Sequence, residues 1–352
     1  MIEHARFPSV ANARVSGIAF EAMRSIVLAQ AAEHDLPILR DDDKELMVET
    51  VYGVYAFRPL ATRFELSVLA PNEQSLFILK DAFVHQLSTF APDSASKLRW
   101  SDAATVGAPP PNFQVTTVQS IEPVGGTFLR VKVAVPDLTK FNDTSIHFQL
   151  VLPPAGAKTI IWPHIGENGA TVWPKGELAL HRPVYTARHI LLEEGQLDLD
   201  VFLHDGGRVT AWAREARAGD LLALMGPSGG GVPDARRFLL FADETAFPAV
   251  ARIVETIPAS ATGEIVLSAV EGERCSYPIS PPPGMKLTWQ SRGSKTSLGE
   301  LAIEMSERWD DHFLWFAAEK SEAVRVRRAY KAEPRPDNSS YIAAYWTRSL
   351  VP

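Results

Sequence analysis

The chain has 352 residues, 46% of them hydrophobic, with a formal net charge of −7. That length predicts two or three domains with real cores, and the negative balance argues against general nucleic-acid binding. One cysteine, Cys275, excludes an internal disulfide and any cysteine-ligated cluster; it fits a reducing compartment, as a small buried side chain with no reactive motif around it. The opening Met1-Ile2-Glu3-His4-Ala5-Arg6 lacks the apolar core of a signal peptide, and no apolar run reaches membrane-span length. The expectation is a cytoplasmic protein, a monomer, with no nucleic acid or membrane among its partners.

Residues 1–103 read as a small α+β domain. Ala19–His34 is a predicted helix, with Phe20, Met23, Val27 and Ala31 at helical spacing. Leu46–Phe57 and Arg63–Ala70 are strand-like and join near Pro59. Asn72–Phe90 is a second helix, striped by Leu76, Leu79, Phe83 and Leu87. His34, His85 and the Asp41-Asp42-Asp43 run lack metal-ligand spacing and read as isolated histidines and a solvated acidic turn.

Pro109-Pro110-Pro111 marks a linker. Residues 113–234 then carry short strands at Phe113–Ile121, Thr127–Val135, His147–Leu152 and Thr171–Trp173, the pattern of a small antiparallel β-barrel. Arg182-Pro183-Val184-Tyr185-Thr186 offers a cation, a flat aromatic and a hydroxyl within five residues. On a strand Arg182 and Thr186 share one face and Tyr185 the other; a tight bend at Pro183 brings all three onto one elongated ligand. A flavin dinucleotide asks for such a set: a guanidinium for its pyrophosphate, a ring to stack on and a hydrogen-bonding group at its N5 edge. The same residues are also ordinary edge-strand composition.

Leu199–His204 alternates, with Asp200, Phe202 and His204 on one face. After Asp205-Gly206-Gly207, Thr210–Ala218 reads as a helix whose free amides suit an anion. Leu221–Met225 is a strand. Gly226–Gly231 is no P-loop, since no Lys-Ser/Thr pair follows it, and by itself reads as a flexible connector. Residues 235–352 alternate: strand Phe238–Ala242, helix Ala246–Ile257, strand Glu264–Val270, helix Ser297–Trp309, strand Phe313–Ala317, helix Ser321–Ala332 and strand Tyr341–Trp346. That order implies an α/β parallel sheet with helices on both faces.

In this order R-x-Y-T, L-D-V-F-L-H, G-R-V-T-A-W-A, A-G-D-L-L-A-L-M-G-P-S-G-G and Asp243-Glu244-Thr245-Ala246-Phe247-Pro248-Ala249 resemble the siderophore-interacting proteins. Those are flavin-dependent ferric-siderophore reductases of the ferredoxin-reductase-like superfamily. Trp315-Phe316-Ala317-Ala318-Glu319 and Tyr345-Trp346 resemble the family's closing motifs, so the likeness runs over roughly residues 110–350. Residues 1–103 resemble a small domain of unknown function sometimes fused to that family.

The resemblance implies FAD in a barrel over 113–234 and an NAD(P)H-binding-like α/β domain over 235–352. It places Arg182 at the pyrophosphate, Tyr185 against the ring and Thr186 at its N5 side, the last two as the catalytic pair. Asp200, Phe202 and His204 would meet the ring or ribitol. Val209, Thr210 and Ala211 would serve the phosphates through backbone amides; Asp243, Glu244, Thr245 and Ala246 would lie near the nucleotide half, and Trp346 would cover the ring's other face. Lys175, Arg188, Arg292 and Arg348 are the candidate cations for an anionic ferric siderophore; each taken alone reads first as a solvated surface charge. Arg325, Arg327, Arg328 and Lys331 form either a solvated helix face, partly paired with Glu319 and Glu322, or a docking patch for the donor, NAD(P)H or reduced ferredoxin. His164, His181 and His189 read as rim or hydrogen-bonding residues. No protein metal site is expected.

Departures from the family pattern are Gln149, in His147-Phe148-Gln149-Leu150-Val151-Leu152-Pro153 where a basic residue is common, and Ala242, Ala318 and Ala344 where glycine is expected. The alternatives to a ferric-siderophore reductase are a general NAD(P)H-dependent flavin or ferric-chelate oxidoreductase and a non-catalytic flavin or iron-chelate binder.

Overall fold

The structure, a computed structural model, describes residues 6–34, 36–102, 106–309, 311–336 and 339–348. The opening residues 1–5, and the expected domain end at 103, lie outside the described residues. Two compact units are present: Met1–Phe113 with Gly156–Leu180, and Gln114–Ala155 with His181–Pro352.

The first unit runs β1 (Ser9–Ser16), α1 (Phe20–His34), β2 (Ile38–Asp41), β3 (Leu46–Thr50), β4 (Gly53–Leu60), β5 (Arg63–Ala70), α2 (Glu73–Phe90) and α3 (Pro92–Lys97). The strands form an antiparallel sheet in the order β1-β5-β4-β3-β2. α2 starts where Asn72 accepts the Ser75 amide at 2.9 Å, and its stripe of Leu76, Leu79, Phe83 and Leu87 is buried on the sheet. The expected strand 46–57 is two strands with a turn between them. Strand β1 was not expected. Its inward positions are Ser9, Ala11, Ala13 and Val15, too small to give a hydrophobic signal. The acidic turn is paired with cations: Arg24 holds Asp41 and Arg40 holds Asp42, each at 2.7 Å.

The second unit opens with a barrel: β6 (Phe113–Val124), β7 (Phe128–Ala134), β8 (His147–Val151), β9 (His164–Ile165), β10 (Thr171–Val172), β11 (Val184–Thr186), β12 (His189–Leu191), β13 (Gln196–Phe202), α4 (Arg208–Glu215) and β14 (Leu221–Ser228). Strands β9 and β10 are the exception. They pair with each other on the excursion Gly156–Leu180, which belongs to the first unit. The expected barrel strand Thr171–Trp173 is therefore no part of the barrel. Within the first unit the Trp100 indole donates to the Asn168 carbonyl at 2.9 Å, and the Thr171 amide to Asp81 at 2.7 Å. Lys80 meets Asp102 at 2.5 Å beneath the Trp100 ring.

The remaining barrel strands form one sheet in the order β11-β8-β14-β6-β7-β13-β12. Its two edge strands are separated in sequence only by Ala187 and Arg188. A link that short spans at most about 10 Å, so the sheet must curl until its edges meet. Leu197, Leu199, Val201, Phe148, Leu150, Leu222 and Leu224 fill the interior.

The chain continues through β15 (Arg237–Asp243), α5 (Phe247–Thr256), β16 (Thr262–Ala269), β17 (Gly284–Ser291), α6 (Leu298–Arg308), β18 (Phe313–Glu319), α7 (Lys320–Ala332) and β19 (Ser340–Trp346). All five strands are parallel, in the order β17-β16-β15-β18-β19. On β15 the side chains of Phe238, Leu240 and Ala242 pack towards α5. Those of Leu239 and Phe241 join the cluster of α6 and α7 on the other face. Strand order reverses between β15 and β18, the switch point outside which such sheets bind ligands. Arg252 of α5 fastens this sheet to the barrel, donating to the carbonyls of Ala187 (2.6 Å) and Asn142 (2.9 Å). Among the described residues no helix is long and apolar enough to cross a membrane.

Candidate functional site

Two cavities flank the end of β15. The first, about 510 Å³, is lined by Pro183, Val184, Tyr185 and Thr186 of the R-x-Y-T segment, by Asp200, Phe202 and His204, by Ser228 and Gly229, by Glu244 and Thr245, and by Tyr341 and Tyr345 of β19. The pairing of β11 with β8 sets Thr186 opposite His147 and Tyr185 opposite Phe148. Thr186 is buried, and its hydroxyl lies 3.3 Å from His147 Nδ1. Burial raises the Tyr185 phenol well above its ordinary value, so the ring stays neutral. Arg182 is exposed, one residue before the cavity wall.

The carboxylates of this cavity have their charge countered. Arg130 grips Asp200 with two hydrogen bonds of 2.8 Å, and the Tyr277 hydroxyl adds a third at 2.6 Å. Glu244 accepts the Val270 amide at 2.7 Å and pairs with Arg292. An anionic ligand thus meets no unbalanced carboxylate. The Ser228–Gly231 stretch is packed rather than a flexible connector: a Cβ on Gly229, at φ +73, would sit 2.8 Å from the His147 ring, and one on Gly230 would sit 2.6 Å from Tyr341. The aromatic walls, the buried hydroxyl and this glycine cradle fit the flat ring system and diphosphate of FAD. Tyr185, Tyr345 and Thr186 would flank the ring and Arg182 would take the phosphates.

The second cavity, about 680 Å³, lies along the carboxyl ends of the parallel strands. Asp243, Ser268, Gln290, Ala318 and Trp346 line it together with Ser297 and Leu298 at the start of α6. Ser297 accepts the Glu300 amide, and Glu300 returns a bond to the Ser297 amide at 2.8 Å. Asp243 is buried and accepts from Thr245 and, at 2.6 Å, from the Trp346 indole; its burial raises its pKa. The Arg292 and Arg348 guanidinium groups lie 6.0 and 5.9 Å from the Trp346 ring centroid.

The expected site residues therefore divide. Tyr185, Thr186, Asp200, Phe202, His204 and Thr245 line the first cavity, whereas Asp243 and Trp346 line the second. Trp346 does not cover the first cavity; Tyr345 does. The register of β19 against β18 skips a residue at Tyr345, a bulge that re-aims neighbouring side chains. Ala246 is buried and is not among the lining residues of either cavity. Val209 and Thr210 are buried at the start of α4, where the Thr210 hydroxyl bonds the Phe202 carbonyl. The Ala211 amide is already committed to the Gly207 carbonyl at 2.9 Å, so it is not free for a phosphate. Of the four candidate substrate cations none lines the first cavity. Arg188 is 3% exposed and forks onto Glu255 at 2.5 and 2.6 Å, a fastening between the β11–β12 link and α5. Arg292 and Arg348 line the second cavity, and Lys175 lies on the excursion. In the α7 cluster Arg325 bonds Ser297 at 2.6 Å and Arg327 bonds the Ile342 carbonyl. His189 pairs with Asp198 at 3.0 Å. Among the described residues no group of three His, Cys, Asp or Glu side chains is placed to hold a metal ion.

Among the wall residues not expected at the site are His147 and Tyr345. Both stand inside recognisable motifs, H-x-x-L-x-x-P and the closing Tyr-Trp, which is the signal that marks them.

Residues 116–231 match the model of the siderophore-interacting FAD-binding domain, and residues 235–349 that of the siderophore-interacting protein. The NADPH-dependent ferric-chelate reductase of Escherichia coli strain K12 is 30% identical over 240 residues, 66% of this chain and 92% of that protein. The ferric vibriobactin reductase ViuB of Vibrio cholerae is 27% identical over 242 residues, 64% of this chain and 86% of that protein. The crystal structure of the siderophore-interacting protein SipS from Aeromonas hydrophila superimposes with a TM-score of 0.55 at 26% identity, over 67% of this chain and 92% of that one. With its barrel, its switch-point sheet and these matches, the chain belongs to the siderophore-interacting protein family.

Proposed function

We propose that the protein is an FAD-dependent reductase of ferric siderophores that takes its electrons from NAD(P)H. The observation that carries this is the adjacency of the two cavities at the D-E-T segment: Asp243 lines one, and Glu244 with Thr245 lines the other. A donor dinucleotide in the second cavity and a flavin in the first would be separated by one turn of backbone. When bound, FAD supplies the conversion of a two-electron donor into single electrons for ferric iron. The protein's own residues do the rest. Tyr185 and Tyr345 would confine the ring, Thr186 would offer it a hydroxyl, and the Asp200–Arg130–Tyr277 network leaves no free negative charge in the cavity. Arg292 and Arg348, beside Trp346, would meet the donor's phosphates.

Each ferric centre held by hard oxygen donors takes one electron. The ferrous product binds those donors more weakly, so iron leaves and the chelator survives. Because the candidate cations lie away from the first cavity, and Gln149 supplies none, charge should discriminate weakly among ferric chelates. The test is anaerobic. The flavin-loaded protein is reduced with NADPH, with NADH or with reduced ferredoxin, and a ferric siderophore is added over a ferrous trap. Flavin reoxidation with stoichiometric trapped Fe(II) is expected; a flavin that stays reduced with every ferric chelate would overturn the proposal.

A further inference from the structure

His147 joins two walls of the first cavity that are far apart in sequence. It is 4% exposed, on the face of β8 opposite the barrel core. Its Nδ1 lies 3.3 Å from the Thr186 hydroxyl on β11, and its Nε2 lies 2.9 Å from the Tyr345 hydroxyl on β19. The Tyr345 ring stands edge-on to the imidazole, with centroids 5.5 Å apart at 87°. Gly229 closes the third side of the imidazole, where a Cβ would collide.

We propose that His147 is a positioning residue of the cofactor site, holding the Thr186 hydroxyl so that it donates its hydrogen into the cavity while anchoring the Tyr345 ring. The proposal rests on the flavin reading of that cavity. A neutral imidazole has one N–H and one lone pair, so between two hydroxyls it donates to one and accepts from the other. Of the two hydroxyls the Tyr345 phenol is the more acidic and so the stronger donor, and the aliphatic Thr186 hydroxyl the stronger acceptor. The ring N–H therefore turns to the β11 side, towards Thr186. That assigns the proton to Nδ1 and leaves the Nε2 lone pair to accept from Tyr345, in keeping with the shorter of the two distances. Thr186, receiving at its oxygen, keeps its own hydrogen for the cavity.

The neutrality this needs is built in. The charged group facing the ring is Arg252 of α5, which opposes protonation, and the tyrosines facing it from β11 and β19 are buried and neutral. The relay thus has a fixed direction, and it ties the barrel wall to the last strand of the sheet.

The test uses flavin-loaded protein and three readouts besides turnover: the visible spectrum of the bound flavin, its midpoint potential and its dissociation constant. An asparagine amide reaches the position of Nδ1, so H147N keeps the Thr186 contact. H147F keeps volume and removes both contacts. H147N is expected to retain the wild-type spectrum and potential. H147F should move both to the values of T186V and weaken flavin retention about two- to tenfold, the loss of one neutral hydrogen bond. Adding T186V to H147F should then change nothing more. A wild-type spectrum and potential in H147F, or a T186V effect that adds in full, would overturn the proposal. If H147F does not fold, H147L removes both contacts with a smaller apolar side chain and must itself shift the spectrum; an unshifted spectrum overturns the proposal equally. Wild-type protein that takes up no flavin would instead overturn the reading on which the proposal rests.

Discussion

Acidification should destabilise the second unit through His147, by an amount that can be worked out. Burial and the nearby Arg252 push its pKa from 6.5 down to about 4, with the Tyr185 carbonyl pulling weakly the other way. The folded value lies below the unfolded one, so in the intervening window the unfolded chain binds the proton first. Stability from this group is therefore fully present above about pH 6.5 and is lost as pH falls from there towards 4. At about 1.36 kcal/mol per pH unit the whole effect is ~3 kcal/mol, of which about 2.5 kcal/mol is gone by pH 4.5. His181 and His312 also have lowered values, and buried Asp243 a raised one that acts in the opposite sense, so the wild type alone cannot isolate what His147 contributes. The comparison is with H147N, which keeps those groups and has no imidazole. Urea unfolding of flavin-free protein at pH 7 and pH 4.5 gives the change for each. The wild type should lose about 2.5 kcal/mol more than H147N; equal losses would refute the buried, neutral imidazole.

Tyr277→Phe removes the 2.6 Å bond to the Asp200 carboxylate and should cost about 1.5–3 kcal/mol in urea unfolding, with Arg130 still in place. Asp102→Ala strips Lys80, 3% exposed, of its carboxylate; Asp102 is itself a third exposed, so a loss of about 3 kcal/mol is expected, read in the unfolding of the first unit. Arg182→Ala should weaken FAD retention by about 1.5–3 kcal/mol, and an unchanged flavin content would remove Arg182 from the phosphates. Arg348→Ala should raise KM for NADPH severalfold with kcat nearly unchanged, the sign of a lost binding contact; an unchanged KM would place the donor elsewhere.

Most of the architecture was legible because its signals are local. The 3.6-residue stripe of α2, the alternation of β13 and the strand–helix rhythm after residue 235 each lie within one element. What was not legible depends on contacts distant in sequence. Thr171–Trp173 has strand composition, but nothing local says which sheet it joins, and it left the barrel for the first unit. Arg188 follows the R-x-Y-T strand as a cleft cation would, yet Glu255, 67 residues later, claims it. His147 and Tyr345 meet across 198 residues. Tyr345 and Trp346 are neighbours on a strand, so one of them had to face each cavity. A single bulged residue decided which, and sequence alternation cannot count a bulge.

The excursion Gly156–Leu180 bears on how the chain is made. Asn168 and Thr171 supply partners for Trp100 and Asp81, and Trp162 packs beside Phe113 at 5.6 Å. A ribosome releases residues in order, so the N-terminal third cannot finish its bonding until residue 171 has cleared the exit tunnel. By then β6–β8 have emerged while β11–β14 have not. The N-terminal module is thus denied the early, independent maturation open to an N-terminal domain. Its completion falls during translation of the barrel, and a truncation at residue 113 would strand a 25-residue segment bereft of its hydrogen-bonding partners.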